Sequence, residues 1–170
     1  MPRRVTTGTV EVSEALPPEH ARLGELTVDA YRAVTPLPDG YAADLADVAG
    51  RAADPAAMVL AARLDGRVVG GATVVLHPGS PLAESLPEGS AGLRMLAVDP
   101  TAQGHGIGRA LVEATIDLCR RHGLRRLGLH TQEVFVHARR LYESMGFDRD
   151  PARDITFASG LQLIAYALKL

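Results

Sequence analysis

The chain lacks features that several classes of protein depend on. Only one of its 170 residues is a cysteine, Cys119, so no internal disulfide can form. Cys119 lies within a helical pattern, where it is interpreted as small apolar packing rather than as a nucleophile. The cysteine content therefore predicts a protein of a reducing compartment, and we expect a cytoplasmic location.

An excess of charge of one sign is also absent. The formal net charge is −2, the isoelectric point is close to 6.3, and no run of like charges marks a tail. A chain with this charge balance has no overall positive electrostatic potential that would attract nucleic acid or an anionic membrane. We therefore expect small molecules as partners, with no nucleic acid and no membrane.

Long apolar runs are missing as well. No stretch approaches the length of a membrane span, and Met1–Gly8 does not begin an export signal. The protein is therefore expected to stay soluble and inside the cell. Its hydrophobic content of 46% is sufficient for a core in a chain of this length, and we predict a single domain over residues 1–170.

What the chain does contain is a succession of strand and helix patterns. Asp65-Gly66 predicts a tight hairpin between two strands. The nearly all-apolar segment 93–98 predicts a central strand that is covered on both faces. Together these patterns predict a mixed α/β sheet. Strands are expected at residues 9–13, 58–62, 68–76, 93–98, 127–130 and 161–168, and helices at residues 19–30, 41–53, 107–122 and 134–145.

A glycine-rich turn is the most informative segment. Gln103-Gly104-His105-Gly106-Ile107-Gly108 follows the strand that ends at Val98-Asp99-Pro100 and opens a helical segment. Glycine lets the backbone approach a ligand closely, and the first N–H groups of a helix point outward without partners. Phosphate is the ligand that suits such a turn best. A plain surface turn that ends a strand is the alternative.

Two known phosphate motifs do not fit this turn. A dinucleotide fingerprint requires G-x-G-x-x-G and an acidic residue about twenty positions later. Here the glycines fall at 104, 106 and 108, and residues 126–130 contain no acid. A nucleotide-hydrolysing loop requires lysine and then serine or threonine after its last glycine, but Arg109 and Ala110 stand there. What remains is Q-x-x-G-x-G between a strand and a helix.

Together with two other segments, this pattern gives the chain a resemblance to the GNAT superfamily of acyl-CoA-dependent N-acetyltransferases. The matching segments are, in order, the strand at 93–100, the loop at 103–109 and the late helix at 138–147. The resemblance covers roughly residues 91–147. It implies a mostly antiparallel central sheet with helices on both faces and the order β-α-α-β-β-β-α-β-α-β-β.

The resemblance also implies acetyl-CoA as the acyl donor. It implies that the amides of residues 104–109 hold the pyrophosphate, and that the backbone of residues 96–98 pairs with the pantetheine arm as a strand would. Arg109 could add a phosphate contact, although an arginine on a solvated helix face fits equally well. No metal is expected, because the histidines are too scattered to form a ligand set. The cofactor-binding residues that follow are Leu96, Ala97, Val98, Gln103, Gly104, His105, Gly106, Ile107, Gly108, Arg109 and Tyr142.

The implied reaction is direct attack of an amine on the thioester. It requires a neutral amine, a stabilised oxyanion and a proton for the leaving thiolate. Tyr142 stands where the family keeps its proton donor, and an unperturbed phenol titrates near 10. A tyrosine that only packs on the sheet and contacts the cofactor sulfur is the alternative. A backbone amide of residues 96–98 is the expected oxyanion donor.

At the position of the base that deprotonates the amine, the chain departs from the family pattern. Many relatives carry glutamate there, but this chain has Gly92. His130 is the predicted base, since it ends the strand after the cofactor helix and has an intrinsic pKa suited to neutral pH. Glu133 is the second candidate for the base. Alternatively, His130 has only a structural role and solvent accepts the proton. A second departure is Phe135, where relatives often have an asparagine that touches the cofactor.

The acceptor is predicted to be a primary amine of a small molecule or a peptide. In relatives its site is framed by segments that correspond here to residues 19–53 and 77–90. Residues 1–60 carry nine acidic and five basic side chains. That balance would attract a cationic amine, although solvated helix faces give the same count. The apolar final strand would also allow pairing across a homodimer.

Two functions from different classes remain open. The favoured one is an enzyme that transfers acetyl from acetyl-CoA to an amine. The alternative is a coenzyme A-binding sensor or interaction module without turnover. Gly92 and Phe135 argue for the alternative, and Tyr142 argues against it.

Overall fold

The computed structural model describes residues 8–170, so residues 1–7, where no export signal is predicted, lie outside the described part. Across residues 8–170, none of the helices is long and apolar enough to span a membrane. The strands are β1 Val10–Glu14, β2 Ala57–Leu64, β3 Arg67–Val75, β4 Ser90–Val98, β5 Arg126–Thr131, β6 Asp148–Arg149, β7 Ile155–Thr156 and β8 Gln162–Lys169. The helices are α1 His20–Arg32, α2 Asp39–Ala46, α3 Val48–Ala52, α4 Ile107–Arg121 and α5 Val136–Ser144.

The strands form a mainly antiparallel sheet in the order β1-β2-β3-β4-β5-β8-β6, and β7 also pairs with β8. Among the described strands, only β4 and β5 run parallel, with Ser90 opposite Arg126 and Leu93 opposite Leu129. Parallel neighbours need a crossover connection, and α4 provides it. The predicted fold class is confirmed, and the apolar strand at 93–98 is part of the central β4.

The β2–β3 hairpin turns at Asp65 and Gly66. Their φ angles of 51° and 79° place both residues in the left-handed region. A two-residue turn of this kind matches the right-handed twist of the flanking strands. The Asp-Gly pair therefore predicts this hairpin correctly.

Helices cover both faces of the sheet. Alternate residues of β2 point in opposite directions, so that Leu60 and Ala62 pack in a cluster with α4, whereas Val59 and Ala61 pack in a cluster with α1 and α3. Tyr142 of α5 belongs to the α4 cluster. The sheet is therefore a middle layer between two helical layers, as predicted.

A β-bulge in β4 reverses the direction of its side chains. β3 spans residues 71–73 where β4 spans residues 94–97, so β4 contains one extra residue, and Met95 takes a φ of 52°. One extra residue reverses the alternation along a strand. For this reason Leu93 before the bulge and Leu96 after it both pack with the α4 cluster.

The bulge coincides with the end of pairing between β4 and β5. Their ladder stops at Leu93 and Leu129, although β4 continues to Val98 and β5 to Thr131. After Leu93, no strand of residues 8–170 pairs with the edge of β4 that faces β5. The two strands therefore open a wedge in the middle of the sheet.

One predicted helix is two helices. The pattern over residues 41–53 predicts a single helix, but α2 ends at Ala46 and α3 begins at Val48. Asp47 lies between them with a ψ of 65°, and its carboxylate accepts a hydrogen bond from the amide of Gly50. Aspartate is favoured at such a capping position, because its carboxylate accepts hydrogen bonds from the first amides of a helix. The spacing of apolar residues does not reveal this helix boundary.

The final strand is not at the edge of the sheet. β8 pairs with β5 on one side and with β6 and β7 on the other. Because β6 and β7 pair with four of its eight residues, β8 does not offer a continuous free edge for the predicted pairing across a homodimer. The oligomeric state remains a prediction.

A buried arginine holds the junction between α2 and α3. Arg51 is 6% exposed. Its guanidinium donates to the hydroxyl of Thr73 at 3.0 Å and to the carbonyls of Leu45 and Asp47 at 3.1 and 3.3 Å. These bonds tie the end of α2 to β3.

We expect Arg51→Met to lower the free energy of unfolding by about 2 to 4 kcal/mol, because the acceptors would remain buried without a donor. Chemical denaturation measures this change. Arg32→Met, at the exposed end of α1, is the control and should change stability by less than about 0.5 kcal/mol. Equal stability of the two variants would contradict the role of Arg51.

Candidate active site

The glycine-rich loop exposes backbone at the start of α4. Gly104 and Gly106 have φ angles of 85° and 72°, and Gly106 caps the helix in the left-handed region. No atom lies within 4 Å of the place where either residue would carry a Cβ. The backbone of these two glycines therefore borders open space directly before α4, whose first amides have no partners within the helix, and both features suit an anion site.

The turn that leads into this loop is held by a carboxylate. Asp99 accepts hydrogen bonds from the amide and the hydroxyl of Thr101, at 2.9 and 2.8 Å. Arg22 of α1 forms an ion pair with the same carboxylate. These contacts fix where β4 ends and where the loop begins.

The side chains of the loop have different surroundings. Gln103 is exposed, whereas Ile107 is 2% exposed and packs in the core. Nδ1 of His105 lies 3.0 Å from the carbonyl oxygen of Ala102, so the ring is held against the loop. Among the loop side chains other than glycine, only Ile107 is therefore buried, and the backbone at Gly104 and Gly106 is left uncovered by side chains.

Gly108 and Arg109 connect α4 to α5. A Cβ at Gly108 would lie 3.1 Å from the Cδ2 of Leu141, so glycine permits the close approach of the two helices. Arg109 donates from Nη2 to the hydroxyl of Ser144 at 3.0 Å. The structure thus gives Arg109 a partner on α5, and its predicted phosphate contact remains untested.

The unpaired edge of β4 continues from the wedge towards the loop. Leu96, Ala97 and Val98 lie on this edge after the bulge, directly before the turn at Asp99. Their pairing with β3 occupies only one side of the strand, with Ala97 opposite Gly71. The other side is open to an extended ligand that pairs as a strand does.

A cavity of about 80 Å³ lies in the wedge, and we call it the central cavity. Of the chain's seven aromatic residues, four line it: Tyr31, Tyr41, Phe135 and Tyr142. Tyr31 contacts the rings of Tyr41 and Phe135, with centroids 6.1 and 5.2 Å away. In a chain with few aromatics, this concentration makes the wedge the candidate binding site.

Tyr142 is 5% exposed and lines the central cavity from α5. Burial raises the pKa of its phenol above the ordinary value. Within the described part of the chain, its hydroxyl has no hydrogen-bond partner, whereas the hydroxyl of Tyr166 donates to Glu143 at 2.8 Å. Tyr142 therefore keeps its proton at neutral pH and has a hydroxyl free to serve a ligand.

His130 lines the same cavity, but both of its ring nitrogens have partners. Nε2 lies 2.8 Å from the carbonyl oxygen of Arg153, and Nδ1 lies 3.1 Å from Oε2 of Glu84. The hydrogen bond to Glu84 is the main reason that the pKa of His130 is raised above its ordinary value. His130 is therefore one half of a pair rather than a free base.

Sequence reasoning missed Glu84, which lies in the loop between β3 and β4. Its Oε1 lies 2.8 Å from Nη2 of Arg94. Burial alone would raise the pKa of Glu84, but the hydrogen bond from His130 and the charge of Arg94 lower it below the usual range. No motif surrounds Glu84, and only the fold of the loop brings it to the cavity.

The structure shows what surrounds Gly92 and Phe135, the two residues that depart from the family pattern. A Cβ at Gly92 would lie 3.6 Å from Cδ1 of Leu86, so a side chain of the same loop covers that position. Phe135 packs on Tyr31. Glu133, the reserve base, is exposed and is not among the residues that line the central cavity.

A wider trough of about 420 Å³ adjoins the cavity and shares Tyr41, Arg94 and Met95 with it. Three aspartates border the trough, Asp44, Asp47 and Asp54, together with Arg51. The acidic excess of the first sixty residues is therefore partly gathered beside the wedge. Among residues 8–170, no group of side chains has the arrangement of a metal site.

Comparison with known proteins agrees with this geometry. Residues 21–147 match the family model described as the acetyltransferase (GNAT) family. A mycothiol acetyltransferase from Thermomonospora curvata is 38% identical over 122 residues, which are 69% of this chain and 38% of that protein. The chain therefore spans well under half the length of this curated relative.

Solved structures share the fold over almost the whole chain. A GNAT-family acetyltransferase from Staphylococcus aureus Mu50 has a TM-score of 0.75 at 17% identity, covering 95% of this chain and 99% of that one. The PaiA N-acetyltransferase from Thermoplasma acidophilum, solved in complex with coenzyme A, has a TM-score of 0.72 at 15% identity over 95% and 99%. At these identities the likeness concerns the fold.

The chain belongs to the acetyltransferase (GNAT) family. The family and the fold that its motifs predict are thus confirmed. The roles of individual residues are not tested by the comparisons and remain predictions.

The loop conformation predicts unequal effects of the same substitution at the two ends of α4. Gly106 and Gly123 have φ angles of 72° and 70°, so leucine at either position strains the backbone by about 1 to 2 kcal/mol. Gly106→Leu should weaken coenzyme A binding by about tenfold or more, because its side chain would occupy space needed by phosphate and displace a charge-assisted hydrogen bond.

Calorimetric titration with coenzyme A measures this effect. Gly123→Leu is the matched control and should retain the affinity of the unchanged protein despite equal strain. Loss of affinity in both variants, or in neither, would contradict a phosphate site at the loop.

Proposed function

We propose that this chain is an N-acetyltransferase that moves an acetyl group from acetyl-CoA to a primary amine by direct attack. The observation that carries the proposal is the alignment of three features along one path. The uncovered backbone before α4 follows the unpaired edge at residues 96–98 in the chain, and that edge reaches the central cavity at Leu96, where Tyr142 also lies. We further propose one domain over residues 1–170, because both core clusters pack on a single sheet.

Each feature suits one part of acetyl-CoA. The backbone of 104–109 would hold the pyrophosphate at a helix N-terminus, where the helix dipole favours negative charge. The edge at 96–98 would pair with the amides of the pantetheine arm. A pantetheine arm held at the loop and at this edge would place its thioester in the central cavity, beside Tyr142. The acetyl carbonyl would then lie next to a backbone amide of β4 that can stabilise the oxyanion.

Tyr142 would then protonate the leaving group. The amine nitrogen bonds to the carbonyl carbon, the C–S bond breaks, and the thiolate takes the hydroxyl proton of Tyr142. The phenolate regains a proton from the nitrogen that has become positively charged in the attack. Burial, which raises the pKa of Tyr142, keeps this donor protonated, so loss of the donor should not limit turnover below about pH 10.

The trough beside the cavity supports a cationic acceptor. Asp44 and Asp47 are exposed at its border, where carboxylates attract an ammonium group. The matched relatives are named mycothiol acetyltransferases, which favours a small-molecule amine over a peptide. We therefore propose a small primary amine as the acceptor, with a peptide amine as the second choice.

A coenzyme A-binding module without turnover is the competing function. An assay of free thiol released from acetyl-CoA, run across a panel of small amines and short peptides, distinguishes the two. We expect release that depends on one class of amine. Thermal stabilisation by coenzyme A without any amine-dependent release would instead identify a sensor.

Tyr142→Phe removes one hydroxyl from the cavity and keeps the ring. We expect kcat to fall by about tenfold to a hundredfold, because the thiolate would leave without a positioned acid, while the Kd for coenzyme A stays the same. Steady-state kinetics and calorimetry measure the two quantities. Tyr31→Phe, which removes a hydroxyl from the α1 side of the cavity, should change kcat by less than about twofold. An unchanged kcat for Tyr142→Phe would mean that this tyrosine only packs.

A further inference from the structure

Direct attack requires a proton acceptor as well as a proton donor. A primary amine of the lysine type titrates near 10.4, so it reaches the site at neutral pH as an ammonium ion. One of its N–H bonds must break, leaving the electron pair on nitrogen, before that nitrogen can bond to the carbonyl carbon. If the proposed function holds, a group beside the central cavity must take this proton.

Few side chains around the central cavity can do so. Six ionisable residues line it: three tyrosines, an arginine, Glu84 and His130. Burial raises the pKa of each of the three tyrosines, and an arginine stays protonated at any physiological pH. Of the six, His130 is the side chain that titrates near neutrality, and Glu84 is the ionised carboxylate hydrogen-bonded to it.

We propose that Glu84 and His130 act together as the proton acceptor for the incoming amine, the carboxylate of Glu84 receiving the proton and Nδ1 of His130 holding it. The inference rests on the proposed function and adds Glu84, a loop residue that no motif marks. It also gives the predicted base His130 a defined route to the substrate.

The hydrogen bonds of His130 determine which nitrogen takes the proton. A carbonyl oxygen only accepts, so Nε2, 2.8 Å from the carbonyl oxygen of Arg153, carries a hydrogen in both charge states. In the neutral ring, Nδ1 therefore presents a lone pair to Oε2 of Glu84, at 3.1 Å. Two acceptors face each other, and a proton between them removes the repulsion. A proton that reaches Glu84 is thus drawn onto Nδ1.

The charges around the pair favour this order of transfer. Glu84 and then the Arg153 carbonyl and Asp154 raise the pKa of His130 against the effect of burial. Arg94, 2.8 Å from Oε1 of Glu84, keeps the carboxylate ionised, so a proton that arrives there passes on to Nδ1 of His130 rather than staying on the carboxylate. Tyr41 also faces Glu84 but is neutral, and Asp154 is held by both arms of Arg149 at 2.8 Å. The pair therefore receives a proton at the carboxylate and stores it on the imidazole.

The loop that carries Glu84 is held in place at several points. Nη1 of Arg94 donates to the carbonyl of Leu82 at 2.9 Å, and Nη1 of Arg153 donates to the carbonyl of Ser85 at 3.2 Å. Ser85 takes a φ of 54°, a left-handed conformation that a serine adopts at a cost of about 1 kcal/mol. Such strain next to an ionisable residue, fixed by contacts on both sides, is typical of a functional position.

The proton balance of the reaction is then complete. The ammonium loses its first proton to Glu84 and His130, and the free amine attacks. The second proton leaves nitrogen as the amide forms and replaces the one that Tyr142 gives to the thiolate. The stored proton passes from His130 to water when the products leave, so each turnover releases one proton.

The test compares Glu84→Gln with the unchanged protein. We expect kcat/KM at its high-pH plateau to fall by about tenfold or more, with the Kd for coenzyme A unchanged. In an NMR titration of the His130 ring, the unchanged protein should titrate above the ordinary value of about 6.5. The same titration should move to lower pH in Glu84→Gln, because the anion that favours the imidazolium is gone. The ionisation of the free amine affects the pH profile of kcat/KM equally in both proteins, so it does not contribute to the difference between them.

Two further variants separate chemistry from folding. Glu88→Gln changes an exposed glutamate of the same loop and should leave both readouts as they are. Glu84→Asp keeps the carboxylate and should retain part of the rate and of the raised pKa of His130.

The possible results are distinct. Amine-dependent release by the unchanged protein together with an unaltered profile in Glu84→Gln would overturn this inference alone. Equal losses in Glu84→Gln and Glu88→Gln would overturn it too. Absence of amine-dependent release from the unchanged protein would overturn the proposed function and the inference with it.

Discussion

The separation of β4 from β5 is the constraint on which the candidate site depends. A sheet normally satisfies its backbone groups through neighbouring strands, and an unpaired edge inside a sheet is exceptional. Here the extra residue at Met95 turns β4 away after Leu93, and the edge at residues 96–98 is left open. The central cavity lies in that opening. The fold thus gives up a few ladder bonds and gains an open groove through its middle layer.

The groups around this opening come from elements that are rigid for different reasons. The loop at the start of α4 is fixed by left-handed glycines and by the carboxylate of Asp99. Tyr142 is fixed by packing of α5 in the core. Glu84 lies on a loop, yet the hydrogen bonds of Arg94 and Arg153 hold that loop across the sheet. The proposed attack on a thioester needs such positioning, because misplacement of reacting groups by about 1 Å can reduce the rate a hundredfold.

Sequence reasoning was most reliable where the signal is local. The Asp-Gly hairpin, the apolar central strand and the glycine turn before α4 all depend on neighbours in the chain, and all occur as expected. It was less reliable where a single polar residue overrides a periodic pattern, as Asp47 does between α2 and α3. It also allowed the apolar β8 to pair across a homodimer, because hydrophobicity does not reveal how many strands of the same chain will pair with it.

The sequence by itself determined the family, the fold class and the glycine-rich turn before α4, and it made Tyr142 a candidate, because each rests on residue types at short, fixed spacings. Only the tertiary structure decided that His130 shares its Nδ1 with Glu84, a residue 46 positions earlier in the chain. It alone decided that Leu86 covers Gly92. Such contacts depend on the path of a loop across the sheet, and that path is set by long-range packing that no local pattern encodes.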